Sequence, residues 1–509
     1  MNKRIQVAVL VLIALGSHRA AQAQLNDPIP APITKRGLRV EIKDVARLPD
    51  SRGLRGASED AMPAGWARVN VIRELPDGRR FVIDLRGLLY VLDAKNQPTM
   101  YADVGAAFPL GYYRGLTGGF ITFALHPEFA TTGLFYTIHG ERAAGNPRTP
   151  HFIPPGFTSA DVTYHAVVTE WKATNPSANA FQGTRRELLR TAHVVANFFH
   201  PPGELNFNPT AKPGAADYGL LYIGSGDWGF SNGGGPKADN PSQGQRTDTL
   251  LGAVLRIDPR SPTVSGGTAG IGDYTIPAAN RFAADGDPKT FGEIYAYGFR
   301  NPHRLSWDPS DGTLFAADIG NSNIEEINIV RNGSNYGWMQ REGTFQNGYH
   351  VAAGTGGQVY PLPANILDGT VKDGFTYPVA MYDHGEGISI TAGFVYRGRI
   401  AALQGKFVFG DIARGRVFAT DVAALKAADD GIPSTVAPIE EIQLFVRDAN
   451  GNRTDVSVQQ LVEKLMGPRT RVDLQLGQAA NGELYLTSRQ DGMIRTLVPE
   501  PDRLSSSVK

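Results

Sequence analysis

Three features of the sequence predict an all-β fold, a six-bladed β-propeller with Gly-rich loop insertions. A turn-then-strand phrase recurs six times, helical periodicity is scarce, and Gly (59) and Pro (34) are frequent among the 509 residues. Frequent Gly and Pro suit many short strands joined by turns. A unit of several strands repeated along a chain is the signature of blades set around an axis. A two-sheet sandwich is the competing architecture, but it needs fewer residues.

Taken in order, the chain opens with Lys3 and Arg4, an apolar run from Val7 to Gly16, and the small-x-small triplet Ala21-Gln22-Ala23. This reads as a signal peptide, 1–23, whose apolar run is too short to span a bilayer. No later run is long enough for a membrane helix. Cysteine is absent, which excludes disulfides, thiolate metal sites and a cysteine nucleophile. The expectation is a soluble exported protein, periplasmic or secreted. Lys+Arg equals Asp+Glu at 50 each, so no broad basic field exists to hold nucleic acid.

Residues 24–65 form an N-terminal extension without a clear repeat, expected to wrap the outside or help close the ring. The propeller is assigned to 66–498 and a tail to 499–509. The six phrases carry aromatic anchors at Phe81, Phe135, Tyr222, Phe315, Phe407 and Tyr485. Each phrase contains a strand pair with alternating or wholly apolar character. Ser457–Met466 is the best helix candidate, with a short piece near Val422–Ala428. Gly-rich insertions at 229–247, 262–290 and 343–376 interrupt the blades, and such loops are where binding groups gather.

The most informative stretch runs from Gly292 to Trp338. Arg300 sits there between Gly298-Phe299 and Asn301-Pro302, on a restricted backbone, with a planar fork suited to a carboxylate or quinone oxygen. An equally simple reading has it capping blade carbonyls. The acidic run from Asp318 to Asn328 supplies hard oxygen donors of the kind Ca²⁺ takes, although a plain solvated turn has the same composition. Upstream, His200 lies at a loop-to-strand junction and could serve as a general base, worth about 10²–10⁴-fold in rate when well placed. Asp227, in Gly-Asp-Trp-Gly, follows the next strand, and a hairpin could return its carboxylate to the imidazole. A packing histidine and a turn aspartate are the structural alternatives. No nucleotide fingerprint, HExxH pair or G-x-S-x-G elbow is present.

The combination GFRNPHRLSWDP, EEIN and NYGW within 298–338, with Leu250–Pro259 and segments spread over most of 65–497, resembles the glucose/sorbosone dehydrogenase family. These are soluble quinoprotein sugar dehydrogenases with a six-bladed propeller; the chain is also similar to hedgehog-interacting-like propellers. The resemblance implies His200 as base and Asp227 as its partner. It implies Arg300 and Asn301 as contacts to pyrroloquinoline quinone (PQQ), and Glu326 and Tyr336 at a calcium ion, with Gly320 and Asn321 as carbonyl ligands. The implied reaction oxidises a sugar or polyol, passing hydride to PQQ and thence to an unknown electron acceptor.

The sequence departs from the family at several points. Ala413 stands where glucose-oxidising members carry a lysine, and Phe199 replaces an acidic residue before His200. Arg469 and Arg471, alternate in sequence and expected at the cofactor, are shifted by one residue relative to Asp473. In a strand such a shift turns side chains to the other face. The calcium half of the site is therefore the firmer expectation. A non-catalytic calcium-binding propeller for a protein or glycan partner is the alternative function, and a calcium-centred hydrolase such as a lactonase is a third.

Overall fold

The computed structural model describes residues 24–56, 60–115, 117–194, 200–229, 243–351 and 357–499. The expected signal peptide, Phe199, and the tail from residue 500 lie outside the described residues.

Five four-stranded sheets and one six-stranded sheet dominate the molecule. In chain order the four-stranded sheets begin with Val69–Glu74, Phe120–Leu125, Glu204–Phe207, Pro302–Trp307 and Phe394–Val395. Each is an antiparallel meander of successive neighbours. The inner strands touch in sequence from the first sheet to the fifth. In the fifth sheet the next strand, Lys406–Gly410, meets Leu474–Gln478 of the sixth, which returns to Val69–Glu74. The sheets thus form a closed ring about an axis.

The six aromatic anchors occupy equivalent places. Phe81, Phe135, Tyr222, Phe315, Phe407 and Tyr485 all lie on the second strand of their respective sheets. Their side chains join neighbours: Phe315 packs on Phe407 at 4.9 Å between ring centroids, and Tyr222 meets Trp307 edge-on at 5.2 Å. The Tyr485 hydroxyl donates to Glu74 Oε2 at 2.7 Å, tying the sixth sheet to the first. Aromatic pairs of this kind contribute roughly 0.5–1.5 kcal/mol beyond the area they bury.

The sixth sheet closes the ring with strands from both ends of the chain. Its order from the axis is Leu474–Gln478, Leu484–Ser488, Met493–Val498, Arg39–Arg47, Gln443–Arg447 and Arg453–Asp455. Arg39–Arg47 runs antiparallel to Met493–Val498, with a bulge between Asp44 and Ala46, and parallel to Gln443–Arg447. Val40 and Ile42 from this strand are 1% and 2% exposed and pack with Leu444 and Leu497. The helix Val458–Met466 covers this core, started by a capping box in which Ser457 and Gln460 satisfy each other's backbone N–H. A second helix occupies Val422–Ala427. The insertions at 262–290 and 343–376 contribute to two small sheets of two and three strands.

Burial of Ile42 between two strands that are remote in sequence makes it a test of closure. Ile42→Ala should cost about 2–5 kcal/mol in chemical denaturation; a loss below about 0.5 kcal/mol would mean that the strand contributes little to the fold.

Candidate active site

His200 adopts a left-handed backbone, φ +44°, immediately before Pro201. Gly226 on the neighbouring segment makes this possible. A Cβ there would stand 2.5 Å from the His200 carbonyl oxygen and 2.6 Å from its Cβ, so only glycine lets the two segments approach. The next residue is Asp227, whose Oδ1 lies 2.7 Å from His200 Nδ1. The same oxygen accepts the Gly229 N–H at 2.9 Å, and Oδ2 accepts the Trp338 indole N–H at 3.1 Å. The Asp227 N–H donates to the Arg300 carbonyl at 2.7 Å. The carboxylate is therefore fixed from three sides and keeps the proton of His200 on Nδ1, leaving the lone pair on Nε2. Burial and the Arg300 charge push the imidazole below its ordinary pKa, against the pull of Asp227. His200 is a neutral imidazole at neutral pH.

The His200 ring opens on a pocket of about 220 Å³ at the ring axis. Asn70, Ile121, His200, Asn301, Ser389 and Asp473 line it, one from each sheet or the loop that enters it. Asn301 is held by its N–H on Asp318 Oδ1 at 2.6 Å and by its carbonyl, which accepts from Ile319 at 3.0 Å. Its neighbour Arg300 turns elsewhere. The Arg300 Nη1 group donates to the carbonyls of Ile319, at 3.0 Å, and Gly320, and Nη2 donates to Asn321 Oδ1 at 3.3 Å. Its guanidinium carbon lies 5.8 Å from the Trp338 ring centroid. Arg300 is not among the residues lining the pocket; it acts there through its field on His200. The two arginines of the sixth sheet part company. Arg471 lines the pocket and donates to Asp473 Oδ1 at 3.1 Å. Arg469 folds back, its N–H on Glu463 and its Nη1 on the Pro468 carbonyl.

Sequence reasoning missed several pocket residues, among them Asn70, Ser389, His303 and Arg489. Arg489, in the turn after the second strand of the sixth sheet, reaches the axis and donates from Nε and Nη2 to Asn70 Oδ1, at 2.9 and 2.6 Å. Burial lowers its pKa to about 9; Asp473 opposes this, while Arg304, Arg68 and Arg471 add to it. His303 is kept neutral by burial and by Arg304 and Arg489. Only the unremarkable polarity of Gln490-Asp491-Gly492 signalled that turn. Below the pocket the axis is filled by ionic groups: Arg304 donates to the Gly203 and His303 carbonyls and to Gln475, stands 3.7 Å from Glu204, and Glu204 also pairs with Arg73. A separate pocket of about 370 Å³ opens beyond this plug at the other end of the inner strands.

The four expected calcium ligands do not converge. The Gly320 carbonyl and the Asn321 side-chain oxygen face the Arg300 guanidinium, which already supplies the cation. The Tyr336 hydroxyl donates to the Ile329 carbonyl at 2.7 Å and accepts from the Arg331 N–H at 2.9 Å. Glu326 accepts from the Gly343 N–H at 2.6 Å and from Asn328 at 3.0 Å, opposite Asp318 in the strand register. Among the described residues no group of three His, Cys, Asp or Glu side chains gathers as a metal site. This arrangement does not fit a calcium ion on those four residues. The pocket itself does fit an anionic cofactor, because two guanidinium groups at its wall, buried Arg489 and exposed Arg471, face the one carboxylate of Asp473.

A closed ring of β-sheets with a His–Asp pair at its axis defines the class as a propeller-like scaffold. The chain belongs to the glucose/sorbosone dehydrogenase family, whose signature matches residues 68–491. It is 29% identical over 331 residues to the HIPL1 protein of Arabidopsis thaliana, a stretch covering 59% of this chain and 44% of that protein. The chain thus spans less than half of that relative's length. Among solved structures it resembles the apo-form soluble aldose sugar dehydrogenase of Escherichia coli, at 16% identity and a TM-score of 0.56, covering 90% of this chain and 98% of the other. It also resembles the PQQ-bound aldose sugar dehydrogenase of Streptomyces coelicolor, at 18% and 0.51, covering 92% and 100%. At these identities the structural likeness establishes the fold.

Burial, with Glu342 and Glu325 nearby, raises the Glu326 carboxyl to about 7 from the ordinary 4.5. A folded state that holds this proton more tightly is most stable below the unfolded value and loses stability as pH rises through the folded one. Glu326→Gln should therefore resist denaturation better than the wild type above pH ~7, with the advantage gone near the unfolded value of 4.5. An advantage independent of pH would contradict the buried titration.

Proposed function

We propose that the chain is an exported, periplasmic or secreted, six-bladed propeller dehydrogenase that oxidises a sugar or polyol with PQQ. The observation that carries this is the 2.7 Å His200–Asp227 pair opening on an axial pocket walled by buried arginine. Membership of the glucose/sorbosone dehydrogenase family supports the same substrate class.

When bound, PQQ supplies the hydride acceptor. Arg471, Arg489 and Asn301 are the groups at the pocket that would hold its carboxylates and carbonyls. His200 Nε2 takes the substrate hydroxyl proton. Asp227 steadies the imidazolium that results and keeps the ring in the tautomer that presents the lone pair. The Arg300 charge holds the base neutral before reaction and is itself fixed by the Ile319 and Gly320 carbonyls. No step is assigned to calcium.

A second reading, a partner-binding propeller without turnover, is favoured by Ala413. It is 3% exposed beside the pocket residue Ile412, at the position where glucose-oxidising members have lysine.

The purified mature protein should bind PQQ at micromolar levels and reduce a dye over part of a sugar and polyol panel. Absence of quinone binding would overturn the dehydrogenase reading, and binding without any turnover would favour the partner-binding one. His200→Ala should lower turnover by about 10²–10⁴-fold with the quinone retained; undiminished turnover would show that another group is the base.

A further inference from the structure

The last residue of the NYGW motif has a task that the reaction outlined above leaves unassigned. We propose that Trp338 is the positioning residue of the base, a third member of a His200–Asp227–Trp338 relay whose indole N–H locks the Asp227 carboxylate and through it the His200 tautomer. The inference rests on His200 being the base only for its catalytic consequence; the geometry stands by itself.

Trp338 is 3% exposed, and its Nε1–H donates to Asp227 Oδ2 at 3.1 Å. A carboxylate with one oxygen on His200 and the other on a fixed indole cannot rotate about its Cβ–Cγ bond without breaking both contacts. The tryptophan is held in turn by its own backbone. Its N–H donates to the Gly298 carbonyl at 2.8 Å and its carbonyl accepts from Gln245 Nε2 at 2.7 Å. No Cβ fits at Gly298, where one would stand 2.2 Å from Asn335 Oδ1, and Gly298 and Gly337 both have positive φ. The indole thus ties the connection between the third and fourth strands of the fourth sheet to the aspartate of the third sheet. An indole is a donor only, so it bonds the ionised carboxylate more strongly than the protonated form and favours the charge on Asp227. Its N–H dipole points positive toward the His200–Asp227 pair and opposes charge on the imidazole.

Among the described residues, the charged or titratable groups that act on the pair include Arg300 on its backbone loop, His303 on the adjoining strand, and Tyr349. Arg471, Asp473 and Arg489 line the same pocket. All of them remain in a Trp338 variant.

The test is the ¹⁵N and ¹H NMR titration of His200 in cofactor-free protein, which needs no turnover. In the wild type His200 should be almost wholly the Nδ1–H tautomer, and the Trp338 indole proton should shift with the His200 titration. Trp338→Phe should mix in the Nε2–H tautomer and move the His200 pKa upward by about 0.5–1 unit, since a donor favouring the neutral ring has gone. In loaded protein kcat should fall with KM little changed. A Trp338→Phe variant with tautomer and pKa both unchanged would overturn the proposal. Should that variant fail to fold, a wild-type indole proton indifferent to the His200 titration would overturn it equally. A changed tautomer in a protein that oxidises no sugar would leave the relay intact and count against the dehydrogenase reading alone.

Discussion

The strand Arg39–Arg47 is the constraint on which the rest depends. A β-sheet ring has no stable half-way state, since an open ring leaves an inner strand without its neighbour and an outer sheet without its edge. Here the closing sheet takes its outer strands from residues near 40 and near 445 and its inner ones from the end of the chain. The axial pocket is formed by residues from all six large sheets, so it exists only once these remote pieces have paired. Buried Val40 and Ile42 supply the apolar contact that holds the joint.

Within the ring the site is governed by competition for cations. Arg300 is drawn to the Ile319 and Gly320 carbonyls close to hand. Arg489 and Arg471 reach the pocket because the sixth sheet delivers them there, and Asn70 and Asp473 keep them in place. The His200 ring stays neutral because burial and the Arg300 charge outweigh the pull of Asp227. Electrostatic preorganisation of this sort is set before any ligand arrives.

Much of this was legible in the sequence. The aromatic anchors fell on equivalent second strands because a buried ring at the sheet centre is the one position every such unit must fill. His200 and Asp227 were recoverable because Gly-Asp-x-Gly after a strand forces a return toward the segment before it. The direction of long side chains was not legible. Arg300 and Asn301 are neighbours, yet one faces carbonyls and the other the pocket. Arg469 and Arg471 diverge because a helix end competes for the first. The same holds for the expected calcium ligands: the Gly320 carbonyl and Asn321 Oδ1 accept from a guanidinium, while Glu326 and Tyr336 bond to backbone groups elsewhere. Arg489 carried no local signal, and the NYGW motif did not reveal the contact that Trp338 makes, since their partners lie 419 and 111 residues away.

The ionic plug of Arg304, Glu204 and Arg73 gives the molecule the topology of a cup. Whatever enters beside His200 has a floor beneath it, and the cavity on the far side is a different room. What reaches His200 comes and goes by the face opposite that floor.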